Sequence, residues 1–294
     1  MQKSLNSSEH TNTSTDRIMH RISRAARIMA VGLLLAGLIV PCALAREGEA
    51  EEPAETHYSL TNPQPIDGNI YTGRPGFGTG TSAVPIGRLQ VELGYTYTDG
   101  PGGHETDSQS VPNTLLRFGV IDTVELRLST AGYIDREGGE DGFDDFRIGS
   151  KIEVMGQDGI IPKLALQPSF KIPMKDASNS DELDPLLQVP ASWNLGGGWG
   201  MLMNFNIGAV SDEKKDTETV LAHSVLISRA LTDRAWVFAE YFAEYPRDSA
   251  ETQNVDFGGA YLINNNLQID ASVGFGLNDD SNDMFVSTGV SFRF

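Results

Sequence analysis

Cysteine is almost absent from this chain. The one it has, Cys42, lies in the N-terminal leader, so the rest has no disulfide framework and no thiolate metal site. Positive charge is scarce: 22 lysines and arginines face 40 aspartates and glutamates, a formal net charge of −18. With no basic patch in sight, nucleic acid is excluded as a partner. A spanning helix is missing as well. The apolar run from Ile28 to Val40 is about thirteen residues, short of the roughly twenty needed to cross a bilayer. Past that run no helical periodicity appears, which argues against helical architectures.

The leader itself has a recognisable layout. Lys3, Arg17, Arg21, Arg24 and Arg27 precede the apolar run, and the small-x-small site Ala43, Leu44, Ala45 follows it. That is a secretory signal peptide over residues 1–45, cleaved after Ala45 on export through the Sec route, with Met19 as an alternative start. Val40 and Pro41 make a poor lipobox before Cys42. Five of the basic and two of the acidic residues lie in the leader, so the remainder carries a charge near −21. The run EGEAEEPAE that follows reads as a disordered tether. Residues 46–86, rich in proline and glycine, are too few to bury a core and are expected to form an N-terminal tether or partial plug. In that role Tyr71 and Phe77 would shelter at the periplasmic mouth against Arg88 and Arg117.

From Gly87 to Phe294 the pattern changes. Leu89, Val91, Leu93, Tyr95 and Tyr97 alternate with Arg88, Gln90, Glu92, Gly94 and Thr96; later Trp199, Met201, Met203, Phe205 and Ile207 alternate with Gly200, Asn204, Asn206 and Gly208. Period-two alternation marks strands with one apolar and one polar face. Twelve such segments are expected, at roughly 87–98, 112–121, 123–134, 145–155, 161–173, 185–195, 199–210, 219–230, 234–245, 254–263, 266–277 and 284–294. They are longer than the five or six residues usual in soluble sheets. Long acidic connections such as DREGGEDGFD and KDASNSDELD follow odd segments, and tight turns such as Ile121-Asp122 and Asn264-Asn265 follow even ones. Long loops outside, short turns inside and an even count describe a transmembrane outer-membrane β-barrel of about 12 antiparallel strands. The expected location is therefore the bacterial outer membrane, in contact with its lipid and lipopolysaccharide. Phe292 and Phe294, on the face of a terminal alternating strand, fit the signal read by the barrel-assembly machinery.

The stretch TGRPGFGTGTSAVPIGRLQVELGY resembles the entry segment of outer-membrane transporters grouped under the meta-pathway of phenol degradation. Arg74, Pro75 and Gly76 match the family's Arg-Pro-Gly turn, Pro85, Ile86 and Gly87 its Pro-x-Gly step, and Gln90, Val91 and Glu92 the start of its first strand. The similarity extends through FAEYF at 238–242 to the C-terminus, covering about 70–294. It implies a transport role without fixing a substrate.

Several residues are candidates for lining the lumen. Arg88, Glu92, Arg117, Glu125, Arg127, Arg147 and Lys151 lie on polar faces, where charges either screen solutes or fill a narrow barrel. Trp236, Phe238, Glu240 and Glu244 share a face of the ninth segment, which would suit a hydrophobic or aromatic solute or form an aromatic packing layer. His223 and Ser224 cannot form a nucleophile dyad, because adjacent strand residues point to opposite faces. The acidic loops lack EF-hand spacing, and no cofactor or metal is expected. The resulting expectation is passive uptake of small solutes by a non-enzymatic channel. The alternatives are a closed structural or adhesive barrel and, less favoured, a lipid hydrolase.

Overall fold

The computed structural model describes residues 58–101, 107–174, 183–211 and 217–294. The signal peptide, its cleavage site and the acidic run lie outside these residues. The ladder begins with β1 (Leu89–Asp99), β2 (Ser108–Ile121), β3 (Val124–Thr130), β4 (Tyr133–Arg136), β5 (Gly142–Phe143), β6 (Phe146–Met155) and β7 (Lys163–Ile172). It continues with β8 (Pro185–Gly196), β9 (Trp199–Ser211), β10 (Thr217–Ala230), β11 (Ala235–Pro246), β12 (Thr252–Asn264), β13 (Leu267–Gly276) and β14 (Met284–Arg293). Each pairs antiparallel with its neighbour, and β1 pairs with both β2 and β14, which closes the sheet. Closure leaves no exposed edge. Among the described residues there is no helix.

Two short elements are pieces of longer strands. β3 and β4 both pair with β2, so they are one crossing interrupted at Ala131 and Gly132. A continuous segment over 123–134 was expected. The break arises because the Ala131 amide turns to Asp144 Oδ2 at 3.0 Å and Gly132 takes φ +78°, in the left-handed region. β5 likewise leads into β6. The fold is therefore the closed twelve-strand barrel that the alternation implies. β2 starts at Ser108, four residues earlier than expected, because β4 gives Ser108 to Val111 a partner.

The two faces invert the arrangement of a soluble protein. The largest fully buried side chains include Arg117, Lys151, Gln90, Glu92, Glu125 and Glu240, whereas Leu126, Ile148, Phe170, Phe205, Phe257 and Phe275 are exposed. Charges are normally the groups left in water. Their burial, with an apolar girdle outside, is the pattern of a barrel in lipid. Tight turns such as Gly196 to Trp199 gather at one end, and both Leu89 and Phe294 sit there, joined by the Phe294 amide donating to the Leu89 carbonyl at 2.9 Å.

Depth in the bilayer should set the cost of a charge on the outer face. Phe205→Lys, at the middle of β9, should cost about 2–4 kcal/mol, whereas Ala209→Lys, on the same outer face nearer the strand end, should cost about 0–1 kcal/mol. Folding titrations into lipid vesicles measure both; equal costs would mean that β9 does not cross the membrane at this register.

Candidate functional site: the lumen and its internal strap

The lumen of the barrel is occupied by part of its own N-terminal segment, a strap within residues 58–86. A strap with no strand beside it has backbone amides to satisfy, and buried carboxylates need donors. Each solves the other's problem. The Gly73 amide donates to both oxygens of Glu92 at 2.9 and 3.1 Å. The Phe77 and Gly78 amides donate to Glu240 at 2.7 and 2.9 Å, and the Thr79 amide to Asn204 Oδ1 at 3.1 Å. Ala83 and Val84 then donate to Glu153 and Glu125 at 2.6 and 2.8 Å.

These partners define the path of the strap. The Ile70 amide meets the Asn265 carbonyl at the short-turn end, and the Gln64 amide meets the Ile86 carbonyl there too. Between them the chain rises to Phe77 and returns, a hairpin-shaped loop inserted from the short-turn end. Its apex is an aromatic contact: Phe77 stacks on Phe242 with centroids 4.4 Å apart, and Phe242 lies 6.0 Å from Phe285. Gly78 permits the close approach, since a Cβ there would lie 2.7 Å from Asn204 Nδ2 and 2.9 Å from Glu240 Oε1.

One wall of the lumen, on β1, β2, β3 and β6, holds a buried ion cluster. Arg117 grips Glu125 with Nε and Nη2, both at 2.9 Å, and reaches Glu92 with Nη1 at 3.1 Å. Arg127 Nη1 donates to Glu125 at 2.7 Å, and Lys151 Nζ stands 3.9 Å from the same carboxylate. Bidentate pairing of this kind is strong and fixes geometry. Arg117 also binds the strap, donating to the Tyr71 carbonyl at 2.6 Å and the Ser82 carbonyl at 2.8 Å.

The opposite wall is acidic. β11, β12 and β13 carry Glu240, Glu244, Asp256 and Asp270 and no lysine or arginine. The strap supplies the cation. Arg74 Nε stands 3.3 Å from Asp270 Oδ1, and its Nη2 donates to Ser287 Oγ at 2.7 Å and the Thr288 carbonyl at 2.9 Å. Gly94 and Gly289 face each other in register across the β1–β14 seam. A Cβ on either would collide with the Arg74 guanidinium. The two glycines form the slot in which Arg74 lies.

Of the remaining lumen candidates, Arg88 Nε donates to the Gln64 carbonyl at 2.7 Å. Among the described residues, Arg147 Nη1 has two hydrogen-bond contacts, both at 3.4 Å, to Ser169 Oγ and the Asp184 carbonyl. Phe238 is buried and tilted 5.9 Å from Trp236; Trp236 and Glu244 are half-buried. Phe292 and Phe294 meet edge to face at 5.3 Å, with Phe294 exposed. Two expectations need correction. The Tyr71 ring is 68% exposed rather than sheltered, because its carbonyl, not its ring, engages Arg117 and Gln90. Phe77 does not stop at the mouth against Arg88 and Arg117 but reaches Phe242 inside.

His223 stacks on Tyr245 at 5.7 Å while Ser224 is buried, so the pair divides between the two faces. The residue that sequence reasoning undervalued is Arg74, read only as part of a turn. Its signal was the run of acidic strands with no cation of their own.

A closed barrel with a charged lumen and an apolar outer surface defines an outer-membrane β-barrel of the porin type. The chain belongs to the family named for the MetA-pathway of phenol degradation, whose model matches residues 72–294. Among solved structures it is similar to an outer membrane channel from Pseudomonas putida F1, at 13% identity and TM-score 0.59, covering 75% of this chain and 99% of that one. It is also similar to the NanC porin, at 10% identity and TM-score 0.50, covering 70% of this chain and all of that one. No curated protein matches the chain.

The ion cluster gives a direct test. Glu125→Gln leaves Arg117, Arg127 and Lys151 short of a buried counter-charge and should cost about 3–5 kcal/mol. Arg229→Gln at the exposed turn should cost under about 1 kcal/mol. Urea unfolding of the barrel in lipid measures both, and similar small losses would show the cluster to be well hydrated.

Proposed function

We propose that this protein is an outer-membrane channel for passive uptake of small solutes, with residues 58–86 as a partial plug inserted from the periplasmic side. The observation that carries this reading is the way the lumen is filled. The strap is held largely by hydrogen bonds between its backbone and polar wall side chains, with Arg74 and the Phe77 stack as its side-chain anchors. Such bonds exchange with water at modest net cost, so a strap can shift where a core could not. A cavity of about 200 Å³ beside it is bounded by strap residues Gly73 and Phe77 and by wall residues of β2, β3 and β6 to β8. The aromatic layer of Phe77, Phe242 and Phe285, with Trp236 and Phe238 nearby, favours hydrophobic or aromatic solutes. The family membership and the two channel-type neighbours agree with a transport role.

The depth of the strap favours one competing reading, a closed barrel with a structural or adhesive role. Single-channel conductance in a planar bilayer separates the two. A variant beginning at Ala83 should show larger or more frequent openings than the full chain, with heat-modifiable migration showing that it is folded. Unchanged conductance in that folded barrel would reduce the strap to a tether.

Outside the lumen, Phe292 and Phe294 are proposed as the contact for the barrel-assembly machinery, and the girdle as the contact for lipid and lipopolysaccharide. Deleting Phe294 should leave the chain in the periplasm or degraded. Normal amounts of heat-modifiable barrel in the outer-membrane fraction would count against that role.

A further inference from the structure

We propose that the cavity between the strap and the β3–β6–β7 wall is a binding subsite for a small monocarboxylate with an apolar body, such as a one-ring aromatic acid. The proposal rests on the channel reading and gives that channel a solute class. Its charged lining consists of two guanidinium groups, Arg127 and Arg147, with no carboxylate. In the β3–β6 ladder Arg127 faces Gly149 and Ser129 faces Arg147. The two arginines are therefore diagonal neighbours on one face, about 7–8 Å apart at the backbone. Gly149, opposite Arg127, lines the same cavity.

Neither guanidinium has a carboxylate to itself. Arg127 shares Glu125 with Arg117. Arg147 has no carboxylate within 4.0 Å among the described residues; Asp184, Asp144 and Asp145 act on it only from farther away, and Lys171 holds Asp145 at 3.6 Å and Asp184 at 2.7 Å. A partly buried cation with no carboxylate in direct contact gains from acquiring one. An incoming carboxylate between the two guanidiniums would supply the charge and accept several charge-assisted hydrogen bonds.

The remaining lining sets the other end of the ligand. Leu115 and Phe77 present apolar surface, and Phe77 is held in place by its stack on Phe242. The volume equals the liquid share of about seven waters, enough for a single ring or short chain. A carboxylate at Arg127 and Arg147 would direct its apolar body toward Phe77 and Leu115. Cations meet two like charges at this site, and neutral rings leave those charges unanswered.

The test is equilibrium dialysis of the full-length barrel in detergent, with benzoate as probe and benzamide as its neutral counterpart. Benzoate should bind saturably at one site per chain, with benzamide weaker by roughly tenfold or more, the loss of one or two charge-assisted bonds. Arg147→Gln should weaken benzoate by about tenfold and leave benzamide unchanged, while Arg147→Lys should retain part of the preference. Leu221→Ala, on the lipid face, should bind as the parent does. Heat-modifiable migration establishes that each variant is folded; if Arg147→Gln is not, the Arg147→Lys variant and the benzoate-to-benzamide ratio of the parent still decide. Equal binding of the two probes, no binding, or an unaffected Arg147→Gln variant overturns the proposal. Bilayer conductance of the same preparation keeps the two readings apart. Conduction without benzoate binding leaves the channel and removes the subsite; binding without conduction does the reverse.

Discussion

Carboxylates buried inside a barrel must find donors, and in this protein the wall cannot supply them all. Glu92 and Glu125 have Arg117 and Arg127 beside them, but Glu240 and Asp270 stand on strands with no basic residue. The N-terminal strap meets the deficit with the amides of Phe77 and Gly78 and the guanidinium of Arg74. Much of the rest follows from this constraint. The strap's path, the register of Gly94 against Gly289 and the glycine at 78 all serve to bring those donors to those acceptors.

The consequence for the barrel is a lumen that is filled without being packed. Eight strands enclose a space that side chains fill, and sixteen leave a channel. Twelve strands leave an intermediate space, which here is divided between the charged wall, the strap and a residual cavity. A polar filling pairs with specificity of position rather than with large net stability, since buried ion pairs repay little more than their desolvation. That suits an element that must hold one defined place. The lumen is also electrically uneven, with cations toward β2, β3, β6 and β7 and acids toward β11 to β13, so a solute inside it is oriented by charge.

Much of this fold was legible in the sequence because period-two alternation sustained over ten or more residues is compatible with little besides a long strand. Phe205 beside Asn204, or Ile148 beside Arg147, tells which way a strand faces before any contact is known. The places where reading failed were those decided by contacts distant in sequence. Gly132 breaks the third crossing because Asp144 captures the amide before it, and no local pattern shows that. The strap was legible as a segment unable to fold alone, but not its depth. That depth depends on Glu240 lying 163 residues from Phe77. Tyr71 misled for a simple reason: an aromatic ring suggested burial, whereas the backbone carbonyl was the group the barrel used. Arg127 and Arg147 could be placed in the lumen, but their cavity could not, because its far side is the strap.

The central claim, that the strap occupies the lumen, can be tested by a cross-link. The chain's one cysteine, Cys42, precedes the segment concerned, so a form starting at Arg46 has no thiol background. The strap's Thr81 Oγ1 and Ser192 Oγ of β8 already lie 2.7 Å apart, so both side chains point at each other. The double variant Thr81→Cys, Ser192→Cys, folded into lipid and mildly oxidised, should form an internal disulfide in most molecules and resist a bulky maleimide. Two freely reactive thiols in a heat-modifiable barrel would contradict the account.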